Sequence, residues 1–135
     1  MGEPLILDSN ALAWETWDAA QIETRGRVFW KTLFCRNRVG TESLTGGIAL
    51  VHPGDALFPH HHAPAEIYFI LQGEGVMTLG ETEHVVRAGN AVFIPGDMRH
   101  GIANASDTDV IFLYAFARDS FDEVVYHFPQ KETAA

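Results

Sequence analysis

Three histidines and one glutamate stand at spacings that a pleated strand can bring to one point. His60 and His62 are two residues apart, Glu66 follows four residues later, and His100 lies in a later segment. Neutral imidazole and carboxylate are ligands of divalent first-row metals, and four such ligands leave positions for water or substrate. The sequence therefore predicts one divalent transition-metal ion, with iron, manganese, nickel and zinc all compatible with the donor set.

The local sequence favours convergence of these four side chains. Side chains alternate across a strand, so His60 and His62 share one face. Pro64 cannot donate to a strand ladder, and a bend there returns Glu66 to the same pole as the histidines. His100 follows a Pro-Gly turn and begins a strand of its own. Three other histidines are interpreted as ordinary polar residues: His52, His84 and His127. His61 is interpreted as an exposed residue or as a residue next to the site.

Composition and charge narrow the class of protein. The chain has 135 residues, enough for one domain with a sizeable core. Nine Lys and Arg against 18 Asp and Glu give a formal charge of −9, and an acidic surface repels nucleic acid and anionic lipid. Cys35 is the single cysteine, so no disulfide forms within the chain. With no signal peptide and no apolar run of about 20 residues, we expect a soluble cytoplasmic protein without nucleic-acid or membrane partners.

Glycine and proline punctuate a series of short apolar and β-branched segments. This pattern is typical of antiparallel sheets and predicts an all-β sandwich or barrel. Ser9 or Asn10 is the expected cap of a short N-terminal helix or irregular arm. The predicted strands are Val28–Cys35, Ser43–Val51, Glu66–Leu71, Val76–Leu79, His84–Arg87, Ala91–Ile94, His100–Ala103, Val110–Phe116 and Glu123–Phe128. The predicted division is an arm (1–26), one domain (27–129) and a tail (130–135).

Two tyrosines are candidates for proton transfer. Tyr68 lies two residues after Glu66 on the same predicted face, so its phenol would hang over the open positions of the metal. A divalent cation favours the phenolate, whose pKa is otherwise about 10, but a core tyrosine fits the pattern equally well. Tyr126 would reach the same opening from the last predicted strand, or merely pack there. Two interpretations fit the tryptophans: they form an aromatic wall that holds a ligand cation, or they belong to the core or a dimer interface. The three residues are Trp14, Trp17 and Trp30.

The two motifs resemble those of the cupin superfamily over about residues 43–117. The second motif departs at Asp97, where the family usually has glycine, and Asp tolerates the left-handed conformation better than most residues. The resemblance implies a double-stranded β-helix, or jelly-roll barrel, with the four predicted ligands on one ion. The matching positions are Gly54, His60, His62, Glu66 and Gly73 in the first motif, and Gly89, Pro95, His100 and Asn104 in the second.

Within that superfamily, the segment Pro64–Tyr68 and the terminal Glu123-x-x-Tyr126 resemble the small lyases that cleave dimethylsulfoniopropionate. The resemblance implies that the metal takes the substrate carboxylate, that Tyr68 removes the neighbouring proton, and that Tyr126 assists. The products of that reaction are dimethyl sulfide and acrylate. Sulfonium is a good leaving group and a cation that an aromatic wall accepts.

Two other classes of function share the same predicted site. One is a cupin-type dioxygenase using Fe(II), or a sugar or keto-acid isomerase; the other is a non-catalytic module that holds a small ligand. The lyase, the dioxygenase and the isomerase would each act on a small-molecule substrate, which we expect to be a carboxylate. The run Ile67–Leu71 is apolar on both faces, so its outer face needs a cover, and we predict a homodimer through it.

Overall fold

The computed structural model describes residues 3–129, most of them in short strands and turns. Among these residues, no helix has the length and apolar character required to cross a membrane. The helices are a 3-10 helix (Ser9–Ala11), α1 (Ala19–Arg25), α2 (Arg36–Val39) and a second 3-10 helix (Phe121–Glu123). The strands are β1 (Phe29–Phe34), β2 (Thr45–Val51), β3 (Ala56–His60), β4 (Glu66–Gln72), β5 (Glu74–Leu79), β6 (Thr82–Arg87), β7 (Ala91–Ile94), β8 (His100–Ala103) and β9 (Val110–Phe116).

The strands form two antiparallel sheets, which confirms the all-β prediction. The orders are β1-β2-β9-β4-β7 in the larger sheet and β3-β8-β5-β6 in the smaller one. Strand β3 was not predicted because it contains Pro59 and no β-branched residue; it forms through its pairing with β8.

No ladder joins the two sheets within residues 3–129, so the expectation of a closed barrel is wrong. The physical reason lies at the free edge of β3. There Leu57 pairs with Gly26 of the N-terminal arm, and His61, one residue after β3, pairs with His127 of the C-terminal segment. Single bridges from the two ends of the described chain, and not a ladder from the larger sheet, therefore lie along this edge.

The inner faces of the sheets share one apolar core. Ile70 and Phe112 of the larger sheet, and Met77 and Ile102 of the smaller one, are each at most 2 % exposed. Burying a side chain of this size contributes about 1.5–3 kcal/mol. Strand β4 alternates buried and exposed residues from its first position, so its inner face continues from the core toward Glu66.

The N-terminal arm differs from its prediction in where its helices start. Asp8, rather than Ser9 or Asn10, caps the first 3-10 helix, since its side chain accepts from the Asn10 backbone N–H. The longer helix, α1, begins later, after a capping box at Asp18. A pattern of small polar residues offers several acceptors, and the backbone geometry selects one.

The predicted strand Glu123–Phe128 is wrong. Ser120 and Glu123 form a capping box that turns this segment into a 3-10 helix, and the following residues make one bridge at His127 instead of a ladder. The predicted tail (130–135) lies outside the described residues. The division into arm, domain and tail stays a prediction.

Candidate metal centre

Three histidines from different parts of the fold lie close together. His60 ends β3, His62 lies in the bend before β4, and His100 begins β8. His60 and His100 are partners in the β3–β8 register, and their ring centroids are 4.4 Å apart. One nitrogen of each ring lies within 4.8 Å of those of the other two. All three residues are at most 3 % exposed, so they form a buried cluster of nitrogen ligands.

Glu66 directs its carboxylate to this cluster. It is the first residue of β4 and is 6 % exposed. Its Oε1 lies 3.0 Å from Nε2 of His62 and 3.1 Å from Nε2 of His100. The chain bends at Pro64, between the second histidine and the strand. The structure thus brings the four predicted ligands together.

The backbone orients all three imidazoles in the same way. Each Nδ1 lies within hydrogen-bond distance of a carbonyl oxygen two residues away. A carbonyl oxygen only accepts, so each Nδ1 carries a proton and donates, and each Nε2 is the nitrogen that can offer a lone pair to a metal. This arrangement orients a histidine toward a metal. The accepting carbonyls belong to Phe58 (2.8 Å, from His60), Pro64 (2.9 Å, from His62) and Met98 (2.9 Å, from His100).

The charge states suit a divalent cation. Burial, reinforced by the charge of His100, lowers the pKa of His60 to about 3, so this imidazole is neutral. Burial opposes ionisation of Glu66, but hydrogen bonds from His100 and His62 outweigh it and lower the pKa of that carboxyl. Burial opposes protonation of His62, but the hydrogen bond to Glu66 and the charge of Glu66 outweigh it and raise the pKa of this imidazole. A metal ion bound here would take the place of that proton between the imidazole and the carboxylate. Separations of 3.0 and 3.1 Å match neighbouring ligands whose bonds to one ion are about 2.1 Å long, so the residues fit a first-row metal.

Tyr68 stands beside this cluster on the wall of a cavity of about 280 Å³. It shares the inner face of β4 with Glu66 and is 3 % exposed. Its ring stacks on Phe112 at 4.3 Å and meets His100 edge-on at 6.0 Å. Burial, and then the charge of Glu66, raises the pKa of Tyr68 well above its usual value. The phenol is therefore protonated unless a cation lies close to it.

Tyr126 reaches the same cavity from the C-terminal segment. Its ring centroid lies 5.3 Å from that of His62 and 6.0 Å from that of His60. Burial raises the pKa of this phenol as well. The segment is held by a backbone pair between His61 and His127, whose rings also stack at 4.7 Å. Tyr126 therefore lies at the site although its segment is not a strand.

Tyr114 is a cavity residue that the sequence analysis did not single out. It lies opposite Tyr68 in the β4–β9 register and lines the same cavity. The alternation of β9 puts Tyr114 on the same face as Phe112 and Phe116, and all three are buried. That alternation is readable in the sequence, but the partner of Tyr114 depends on the strand register.

The tryptophans divide between the cavity and the surface. Trp17 and Trp30 line the cavity, with ring centroids 5.3 Å apart. Trp14 is 38 % exposed and is not among the lining residues, so of the two interpretations the cavity wall does not apply to it. Lys31 places its Nζ 4.6 Å from the centroid of that ring, which already engages a cation of the chain itself.

Comparison with known proteins identifies the family. The cupin domain family matches residues 47–116. Over 105 residues the chain is 40 % identical to dimethylsulfoniopropionate lyase DddW of Ruegeria pomeroyi, which covers 78 % of this chain and 68 % of that protein. The chain is also 37 % identical over 62 residues to an oxalate-binding protein of Thermotoga maritima, covering 45 % and 51 % of the two.

Two solved structures show the same fold. A predicted oxalate decarboxylase of Thermotoga maritima superposes with a TM-score of 0.72 at 24 % identity, covering 84 % of this chain and 99 % of that one. The polyketide cyclase RemF of Streptomyces resistomycificus gives a TM-score of 0.78 at 17 % identity, covering 96 % and 88 %. The expected cupin fold is thereby confirmed, without the closure into a barrel. The chain belongs to the cupin family.

Proposed function

We propose that this protein is a metal-dependent lyase that performs β-elimination on a small carboxylate, with dimethylsulfoniopropionate as the substrate. The observation that carries the proposal is the placement of Tyr68. Its phenol shares the inner face of β4 with Glu66, beside the buried histidine cluster and on the wall of an aromatic cavity. The 40 % identity to a dimethylsulfoniopropionate lyase supports the choice of substrate.

The proposed ligands are the four side chains predicted from the sequence: His60, His62, Glu66 and His100. The Nδ1 hydrogen bonds of the three histidines, together with the burial of all four side chains, hold the ligand atoms in place before an ion binds. A divalent ion bound there would act as a Lewis acid toward the substrate carboxylate and would favour the phenolate of Tyr68.

Tyr68 is the proposed general base. Its phenolate takes the proton from the carbon next to the carboxylate, and the electron pair of that C–H bond forms the new C=C bond. The C–S bond breaks, and its electron pair leaves with sulfur as neutral dimethyl sulfide. Acrylate remains, and Tyr68 returns its proton to water. Tyr126, whose ring centroid lies 5.3 Å from that of His62, is proposed to assist by positioning the substrate.

A direct assay tests the proposal. Purified protein, loaded separately with manganese, iron, nickel or zinc, receives dimethylsulfoniopropionate, and dimethyl sulfide is measured in the headspace. We expect sulfide with at least one metal. Tyr68→Phe keeps the ring that stacks on Phe112, so we expect unchanged metal content and a loss of turnover of about 100-fold or more.

The same assay separates the alternatives. If no metal gives sulfide above the metal-free control, the lyase proposal is rejected. Consumption of oxygen by the Fe(II) form would instead support a dioxygenase. If Tyr68→Phe turns over at the wild-type rate, that residue is not the base.

A further inference from the structure

Two aromatic rings at the cavity form a corner that already contains a cation. Trp17 and Phe128 meet edge to face, with centroids 5.9 Å apart and planes at 87°. The Cζ atom of Arg25 lies 5.4 Å from the first ring centroid and 5.0 Å from the second. These distances are those of cation–π contacts. We call Trp17 and Phe128 the aromatic corner.

Arg25 is held by these rings and not by an acid. Within residues 3–129, no carboxylate forms an ion pair with it and no hydrogen bond engages its guanidinium. By contrast, Arg36, Arg38 and Arg87 each pair with a carboxylate at 2.9 to 3.1 Å. In a chain of formal charge −9, an unpaired arginine against two rings shows that the corner stabilises a positive charge by itself.

The aromatic corner adjoins the predicted metal ligands, because Phe128 contacts His60. Phe128 stacks on His60 with centroids 4.6 Å apart and planes at 23°. Trp17 contacts Trp30, which extends the wall along the cavity. A small molecule with a carboxylate at the ligand cluster can therefore place a cation at the corner.

We propose that Arg25 is a resident cation, which fills the aromatic corner in the free protein and yields it to the onium group of the substrate. This inference rests on the proposed function and deepens it: the substrate is a zwitterion, with a carboxylate toward the metal ligands and a methylated onium at Trp17 and Phe128. Two cations in one corner repel each other, so Arg25 must leave when the onium enters.

The position of Arg25 allows this exchange. It is the last residue of α1, its side chain is half-buried, and Gly26 follows it with a φ of 88°. The side chain can rotate toward solvent while the helix stays in place. A fully methylated ammonium or sulfonium has no hydrogen-bond donor, so it loses its hydration shell more easily than a cation that carries N–H donors.

The test measures binding without turnover. Tetramethylammonium is titrated into the metal-loaded wild type and into Arg25→Gln, with binding measured by calorimetry and by tryptophan fluorescence. We expect Arg25→Gln to bind tetramethylammonium roughly 3- to 30-fold more tightly, because the competing cation is gone. The neutral probe tert-butanol should show no such gain.

Two further variants are matched controls. Arg27→Gln removes the same charge from an exposed residue that contacts neither ring, so it should bind like the wild type. Arg25→Lys keeps a cation at the corner and should also bind like the wild type. Circular dichroism and thermal unfolding confirm that each variant is folded.

Three results would overturn the inference. The first is equal affinity of Arg25→Gln and Arg27→Gln for tetramethylammonium. The second is weaker binding by Arg25→Gln. The third comes from a parallel titration with propionate, an anionic probe: a loss of its binding in Arg25→Gln but not in Arg27→Gln would make Arg25 an anion-binding residue. Because the probe is not a substrate, a gain in affinity without dimethyl sulfide production rejects the lyase and keeps the cation site.

Discussion

Oε1 of Glu66 lies 3.0 Å from Nε2 of His62, and both side chains are at most 7 % exposed. The His62 Nδ1 donates to the Pro64 carbonyl oxygen, so either a proton or a metal ion on Nε2 can join it to the carboxylate at this distance. We predict that His62→Ala lowers the metal content from about one ion per chain to near zero. Elemental analysis after incubation with divalent salts and dialysis measures the change.

The matched control is His84→Ala. His84 is exposed, and its Nε2 lies 2.9 Å from the Thr82 hydroxyl. This variant should keep its ion. A stoichiometric ion in His62→Ala would contradict the predicted ligand set.

The close packing of neighbouring strands around Gly47 leads to a second prediction. Gly47 lies between Thr32 of β1 and Tyr114 of β9 in the larger sheet. A Cβ there would lie 2.7 Å from the Tyr114 hydroxyl and would collide with the backbone carbonyl of Lys31. We expect Gly47→Ala to lower the free energy of unfolding by about 1–3 kcal/mol, measured by urea denaturation.

The control for that variant is another strand glycine with more room. A Cβ on Gly75 would meet its nearest atom, the carbonyl oxygen of Ala103, at 3.1 Å. Gly75→Ala should therefore destabilise the protein less than Gly47→Ala. Equal losses would show that crowding around Tyr114 does not limit this position.

The ion pair between Glu15 and Arg38 predicts a pH dependence of stability. Arg38 donates two hydrogen bonds to the carboxylate, at 2.9 and 3.1 Å. These bonds lower the pKa of Glu15 below its ordinary value of 4.5, although partial burial opposes the shift. A lowered pKa in the folded state stabilises the protein at pH values above the unfolded pKa. The stabilisation is lost as the pH falls through the lower folded value.

Glu15→Gln should therefore cost about 0.5 kcal/mol at pH 7, a small amount because the side chain is 36 % exposed and screened by water. The difference from the wild type should disappear in strongly acidic buffer. Glu83→Gln, at an exposed residue for which no ion pair is found within residues 3–129, should show no comparable difference. A difference for Glu15→Gln that stays constant with pH would contradict the prediction.

Exposed apolar residues on the outer face of β4 and β7 support the predicted homodimer. Ile67 and Phe93 are register partners there, 46 % and 67 % exposed, and Leu71 is 47 % exposed. A second copy of the chain would cover this apolar surface. We predict a dimer in sedimentation at micromolar concentration, and a shift to monomer for Phe93→Lys.

Val125→Lys is the control for that experiment. Val125 is also 67 % exposed but lies in the C-terminal segment, outside β4 and β7. This variant should sediment as the wild type does. A wild-type monomer would reject the homodimer.

Much of the architecture is encoded in short stretches of sequence. Short apolar segments bounded by turn residues predicted the strands Ala91–Ile94, His100–Ala103 and Val110–Phe116 with the bounds that the structure shows. Asp97 has a φ of 62°, the left-handed conformation predicted at that turn. These features depend on neighbouring residues alone, so a pattern of about two to six residues is sufficient to predict them.

The metal ligands are an intermediate case. The spacing of His60, His62 and Glu66 is local, and the bend at Pro64 is readable in the sequence. The meeting of His100 with His60 depends on the pairing of β3 with β8, and β3 itself was not predicted. The spacing indicated the residue types of the site, and the strand register assembled them.

Only the tertiary structure decided what surrounds the ligands. Arg25 and Phe128 are far apart in the chain and belong to the arm and the C-terminal segment, yet they meet at the cavity. Tyr114 faces Tyr68 because β9 pairs with β4. Such contacts arise from how the sheets, arm and terminal segment pack in three dimensions. Local patterns report the face on which a side chain lies, but not which distant residue it meets.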